Sequence, residues 1–209
     1  MSSMPDDIYT EPAEIDPHTL ANLGPLTPLA GIFEGSAGTD VHPVAEGSAT
    51  DAYVERIELQ PLDPQPNGPQ LLYGLRYHIF IHKPGEGATF HDQVGYWLWE
   101  PATHTLMQTV SIPRGQTVLA MGKAAPDARE FELVATLGSP THGIVSAPFL
   151  DQNFKTTEYR IKVTVHDDGS WTYDQDTVMS IRGRQEPFHH TDKHTLRKVA
   201  EPTPNPAAR

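Results

Sequence analysis

The sequence predicts an all-β protein, a ten-stranded antiparallel up-and-down barrel enclosing a cavity. Three observations carry this. Apolar side chains recur at every second residue through most of the chain, the repeat of a strand with one buried face. Turn-forming strings fall between those runs at hairpin spacing. No stretch shows the apolar repeat of an amphipathic helix of ordinary length. A closed barrel is the first reading because closure leaves no exposed strand edge; a two-sheet sandwich is the second.

The elements follow in order. Residues 1–18 are acidic and proline-bearing and read as a flexible tail. "DPHTLANLGPLTPLAG" has room for one short helical turn before a first strand near 31–38. Strand runs then occupy 50–60, 70–82, 90–100, 103–112, 115–125 and 129–138, separated by "PQPNGP", "KPGEG", "EPATH", "IPRGQ" and "APDAR". Residues 139–157 break the rhythm and read as a long loop with a short strand. Pro148, Phe149, Leu150 and Phe154 are too apolar for a free loop and are expected to cover a barrel mouth.

The next two strands are the clearest. Tyr159, Ile161, Val163 and Val165 share one face, with Arg160, Lys162, Thr164 and His166 on the other. Asp168-Gly169 supplies a hairpin turn, and Trp171, Tyr173, Thr177, Met179 and Ile181 continue the alternation. A last run at 187–199 completes the ten. Residues 201–209 carry three prolines and read as a second tail, leaving one domain over 19–200.

Composition narrows the function. With 15 Lys plus Arg against 27 Asp plus Glu, the net charge is −12, which argues against nucleic acid and anionic membrane surfaces as partners. The chain has no cysteine, so disulfides, thiolate zinc sites and cysteine nucleophiles are excluded. The acidic N-terminus lacks the apolar core of a signal peptide, and no apolar run approaches the roughly 20 residues of a membrane span. These features predict a cytoplasmic protein with a small molecule in its barrel; a homodimer stays open.

The candidate chemistry lies in histidines. "EPFHHTDKHTL" holds His189, His190 and His194, with Asp192 among them. On a strand, His189 and His190 point to opposite faces, and His190 and His194 share a face about 13 Å apart. That is too far for one ion with bonds near 2 Å, so the segment alone is no chelating site. It can present one inward histidine; the plain alternative is that all three are solvated or hydrogen-bonded at the mouth. In "ATFHDQVGYWLWEP", His91 shares a face with Gln93, Gly95, Trp97 and Trp99 and is a candidate pocket residue. Arg114, in the turn "SIPRGQ", is placed to hold a carboxylate at the rim. His78 and His82 face the same distance problem as the last strand. His18, His42, His104, His142 and His166 fall in tails, loops or turn-adjacent positions and read as exposed. No phosphate loop, nucleophile elbow or glycosidase pair is present.

Three segments resemble the nitrobindin-type heme-binding β-barrels. "PLTPLAGIFEGSAGTD" is similar to that family's opening Gly-x-Trp-x-Gly-x-Gly strand, with Gly31, Phe33 in place of tryptophan, Gly35, and the last glycine displaced to Gly38. "FHDQVGYWLWEP" matches a His-x-x-x-Gly-Tyr-Leu strand through His91, Gly95 and Tyr96. "FHHTDKHTLRKV" resembles the final strand that carries the iron-ligating histidine. The chain is most similar to a bacterial, fatty-acid-binding-protein-like branch, lipocalin-like in build. The resemblance implies a b-type heme held through one histidine, with nitric oxide binding or isomerisation of peroxynitrite to nitrate. Within the pattern Phe-x-His-Thr-Asp, His190 is the first choice of iron ligand, His194 the second and His189 the third; His91 lies opposite, and Arg114 meets a propionate. The alternative is a heme-free carrier of an acyl chain or another apolar ligand, with Arg114 or His91 at its head group.

Overall fold

The computed structural model describes residues 7–204; the outermost parts of both expected tails, 1–6 and 205–209, lie outside the described residues. A four-residue helix α1 (Thr19–Asn22) and a 3-10 turn (Gly24–Leu29) precede the strands. These are β1 (Gly31–Val44), β2 (Gly47–Pro61), β3 (Gln65–Asn67), β4 (Gln70–His82), β5 (Thr89–Glu100), β6 (Thr105–Ile112), β7 (Gln116–Lys123), β8 (Glu130–Thr136), β9 (Ile144–Ser146), β10 (Phe154–Val165), β11 (Trp171–Ile181) and β12 (Phe188–Ala200), with α2 (Pro148–Asn153) between β9 and β10. Ten of them close into an antiparallel barrel. The circuit runs β2, β1, β12, β11, β10, β8, β7, β6, β5, β4, and the β2–β4 pairing shuts it. Short β3 only extends β4.

The first strand runs longer than its apolar alternation suggests. It continues to Val44 and turns directly into β2, with Val44 opposite Gly47. Between Gly35 and Gly38 it also gains a residue: Gly35 pairs with Glu55, but Gly38 pairs with Tyr53, three steps on β1 against two on β2. This is a β-bulge, and it explains the displaced last glycine of the motif. Both glycines face the interior after all. A Cβ on Gly35 would overlap the His194 ring, and one on Gly38 would overlap Tyr53.

The insertion holds the expected short strand, β9, and adds the short helix α2. β7 and β8 share one registered pair, Met121 with Val134, and beyond it they diverge. β9 takes the vacated edge, pairing Ile144–Ser146 with Gln116–Val118, because the backbone groups of β7 need partners. The strand β10 begins already at Phe154, and α2 buries none of its residues. Phe149, expected to cover the mouth, is 67% exposed and rests against Phe154.

One end of the barrel is plugged. Leu23, Leu26 and Leu29 are fully buried and join Leu59, Leu75, Trp97, Trp99, Leu106 and Phe33 in one core. Phe33, standing where the motif has tryptophan, meets Trp171 edge-on with ring centres 5.8 Å apart. Gly24 has φ +55, and any side chain there would strike the Trp99 indole, so the plug needs glycine at that contact. Outside the plug, Tyr73 donates its hydroxyl hydrogen to the Asp16 carbonyl.

Candidate functional site

The open end of the barrel is built by the β1–β2, β4–β5, β6–β7 and β11–β12 turns and by the insertion. There the inward side chains turn polar. Asp40 and Asp192 stand directly opposite each other on β1 and β12. Two carboxylates so placed repel, and histidines separate them. His190 Nε2 donates to Asp40 Oδ1 at 2.8 Å and lies 3.8 Å from Asp192 Oδ2. His42 Nδ1 donates to the other Asp40 oxygen at 2.9 Å, and Gln175 donates to Asp192 at 3.2 Å. His42, read as exposed from its position, is thus half-buried and tied into the site.

Burial and charge set the protonation here. Burial pushes the Asp192 carboxyl up to about 6, with the charges of Asp40 and Glu55 adding to it. For Asp40, burial raises the pKa, but the hydrogen bonds and charges of His190 and His42 outweigh it and hold it below the ordinary value. Burial lowers His190, but the Asp40 hydrogen bond with the charges of Asp192 and Asp40 more than reverses this, so His190 is raised. His91 is lowered, chiefly by burial and further by Arg114 and His190; it is a neutral imidazole bonded to Gln93 at 3.3 Å. His190, His91 and Arg114, from β12, β5 and the β6–β7 turn, therefore sit within electrostatic reach of one another. Arg114 is exposed and forms no ion pair among the described residues.

His189 and His194 stand elsewhere. His189 points outward and bonds Asp176 at 2.7 Å. His194 points inward, one level below the mouth, and is 2% exposed. Its Nδ1 donates to Glu55 Oε2 at 2.9 Å and its Nε2 accepts the Ala37 N–H at 3.3 Å. Tyr173 also donates to Glu55 Oε2, at 2.7 Å, and receives the Tyr53 hydroxyl hydrogen at 2.7 Å. Glu55 is buried, and its second oxygen has no partner among the described residues. The remaining histidines are peripheral: His78 bonds Asp92 on the outer wall, His104 takes φ +54 in a turn and stacks on Trp99, and His142 and His166 bond neighbouring hydroxyls.

Residues 22–198 match the model of the THAP4-like, heme-binding β-barrel domain. The chain belongs to that heme-binding β-barrel family. The crystal structure of Rv2717c from M. tuberculosis superposes with a TM-score of 0.62, covering 88% of this chain and 99% of that one at 20% identity; at that identity the likeness speaks for the fold. No curated protein matches the chain.

The family's group can be tested against these residues. An axial histidine needs one free ring nitrogen, with the other held so that the ring is oriented. His190 meets this: Nε2 is bound to Asp40, Nδ1 carries no bond among the described residues, and the side chain is 32% exposed. His194 does not, since both nitrogens are engaged and Gly35 packs against its ring. Asp40, His42 and Glu55 escape a reading of the sequence for ligands. Glu55 alone left a sign, a carboxylate on the apolar face of Tyr53, Ile57 and Leu59.

Proposed function

We propose that this barrel holds a b-type heme at its mouth through His190 Nδ1. The observation that carries the reading is the half-bound His190 ring, oriented by Asp40 and open on its other nitrogen. Asp40 fixes the tautomer and ring plane, neutral His91 stands across the mouth as a polar neighbour, and the unpaired Arg114 guanidinium meets a propionate. The heme, when bound, supplies an iron centre open to small nitrogen oxides, for binding nitric oxide or isomerising peroxynitrite; pocket polarity decides between them.

A heme-free acyl carrier is the weaker reading. Trp97, Trp99, Phe33, Leu59 and Leu75 are buried together in one core, so side chains fill this half. An acyl chain finds no apolar channel in the plugged half.

Hemin added to the purified protein should bind one per chain and give a histidine-ligated ferric spectrum. His190→Ala should lose that spectrum, while His189→Ala and His194→Ala keep it. An unchanged spectrum in the His190 variant would move the ligand elsewhere. Absence of hemin uptake by the wild type, with recovery of a bound lipid, would overturn the heme reading.

A further inference from the structure

We propose that in its heme-free form the barrel mouth is a divalent transition-metal site formed by Asp40, His190 and Asp192. One ligand atom from each lies within 4.8 Å of the other two, a triangle that a single ion with bonds of about 2.0–2.2 Å can span. The three come from two neighbouring strands: Asp40 and Asp192 are cross-strand partners, and His190 precedes Asp192 by two residues on the same inward face. Sequence spacing excludes His190 and His194 as a chelating pair; the third dimension supplies Asp40 instead. His42, bonded to the far oxygen of Asp40 at 2.9 Å, orients that carboxylate from behind, and Gln175 does the same for Asp192. Ligating carboxylates are usually held by outer hydrogen bonds of this kind.

The layer beneath the mouth adds negative charge: buried Glu55 leaves one oxygen without a donor among the described residues. Three carboxylates thus share this part of the interior, while the guanidinium of Arg114 stays out at the exposed turn. Two carboxylates and one imidazole, with no thiolate, suit Zn²⁺, Fe²⁺ or Mn²⁺ better than Ca²⁺ or Cu⁺. The ion would replace the proton now shared between His190 Nε2 and Asp40. It takes the ring nitrogen opposite to the one assigned to iron, so the two occupants compete for one imidazole.

The test uses full-length, hemin-free protein stripped with chelator and titrated with Zn²⁺ by calorimetry and with Co²⁺ by visible absorption. The expected result is one ion per chain, with Co²⁺ d–d bands from a mixed nitrogen and oxygen site. Asp192→Asn and Asp40→Asn should each weaken Zn²⁺ binding at least tenfold, and Asp176→Asn, beside the exposed His189, should not. Melting curves establish that each variant is folded; if Asp40→Asn is not, Asp192→Asn alone decides. No stoichiometric binding by the wild type, or unchanged affinity in folded Asp192→Asn, would overturn the proposal. Hemin uptake is read separately: zinc binding without hemin uptake sinks only the heme reading, and hemin uptake without zinc binding sinks only this one.

Discussion

The two ends of this barrel are made by the same strands with the same alternation, yet they do opposite things. At the plugged end, β1, β2, β4, β5 and β12 turn Phe33, Leu59, Leu75, Trp99 and Leu196 inward, all buried to 2% exposure or less. At the open end β1, β5 and β12 turn Asp40, His91, Gln93, His190 and Asp192 inward. The first set gains stability from apolar burial at about 25 cal/mol per Å². The second gives up that gain and must satisfy each polar atom, since an unpaired buried one costs about 1–3 kcal/mol. One half is an apolar core while the other gathers the polar candidate site, and the Glu55, Tyr173, Tyr53 and His194 network is the layer between them.

If that division is right, the largest effect on stability comes from the plugged end. Trp97→Ala should cost about 3–5 kcal/mol in urea unfolding. Its effect on hemin or zinc affinity in protein that remains folded should be small. A large affinity loss at modest cost in stability would show that the two halves are not separable.

The boundary layer comes next. Gly35→Ala places a methyl group against the His194 ring and should cost about 1–3 kcal/mol, as overpacking does. Combining it with His194→Ala should recover much of that loss, because the clash is with that ring. No recovery would locate the strain in the bulge itself.

The smallest effect is at the mouth and depends on pH. Asp192 is raised to about 6, above the ordinary value near 3.9. The folded chain therefore holds this proton more tightly than the unfolded chain. That contribution is fully present below about pH 4 and is lost as pH rises through about 6. His190, also raised, has the same sign, its contribution fading above its raised value. Relative to wild type, Asp192→Asn should gain about 1–2 kcal/mol between pH 4.5 and 7.5, measured as the difference in unfolding free energy. Parallel pH profiles for the two proteins would mean that Asp192 does not feel its neighbours as the mouth geometry requires.

Much of the fold was legible because strand alternation is a local property. The paired faces of β10 and β11, the Asp168-Gly169 turn and the scarcity of helix all follow from residue order and turn chemistry. What escaped were features set by partners distant in the chain. The short strand expected in 139–157 is β9, but its partner was not legible: it pairs with β7 because β7 and β8 part company. The 3-10 turn becomes a plug only once a barrel end exists to receive Leu26 and Leu29.

For the candidate site, strand alternation put His190 and His194 on one face and His91 on a face with Gln93, Trp97 and Trp99, and turn chemistry put Arg114 in a turn; the preference for His190 over His194 came from the resemblance. Sequence alone could not determine Asp40. Counted by twos from Phe33, residues 35, 37, 39 and 41 face inward, and Asp40 and His42 should face solvent. The bulge between Gly35 and Gly38 shifts the count by one and turns both side chains into the mouth. A one-residue slip reverses every side chain beyond it. The bulge is in turn fixed by the His194 and Tyr53 rings, which leave those two positions room only for glycine. That His190 and His194 share a face belongs to the strand, but the carboxylate that bonds His190 belongs to the tertiary structure.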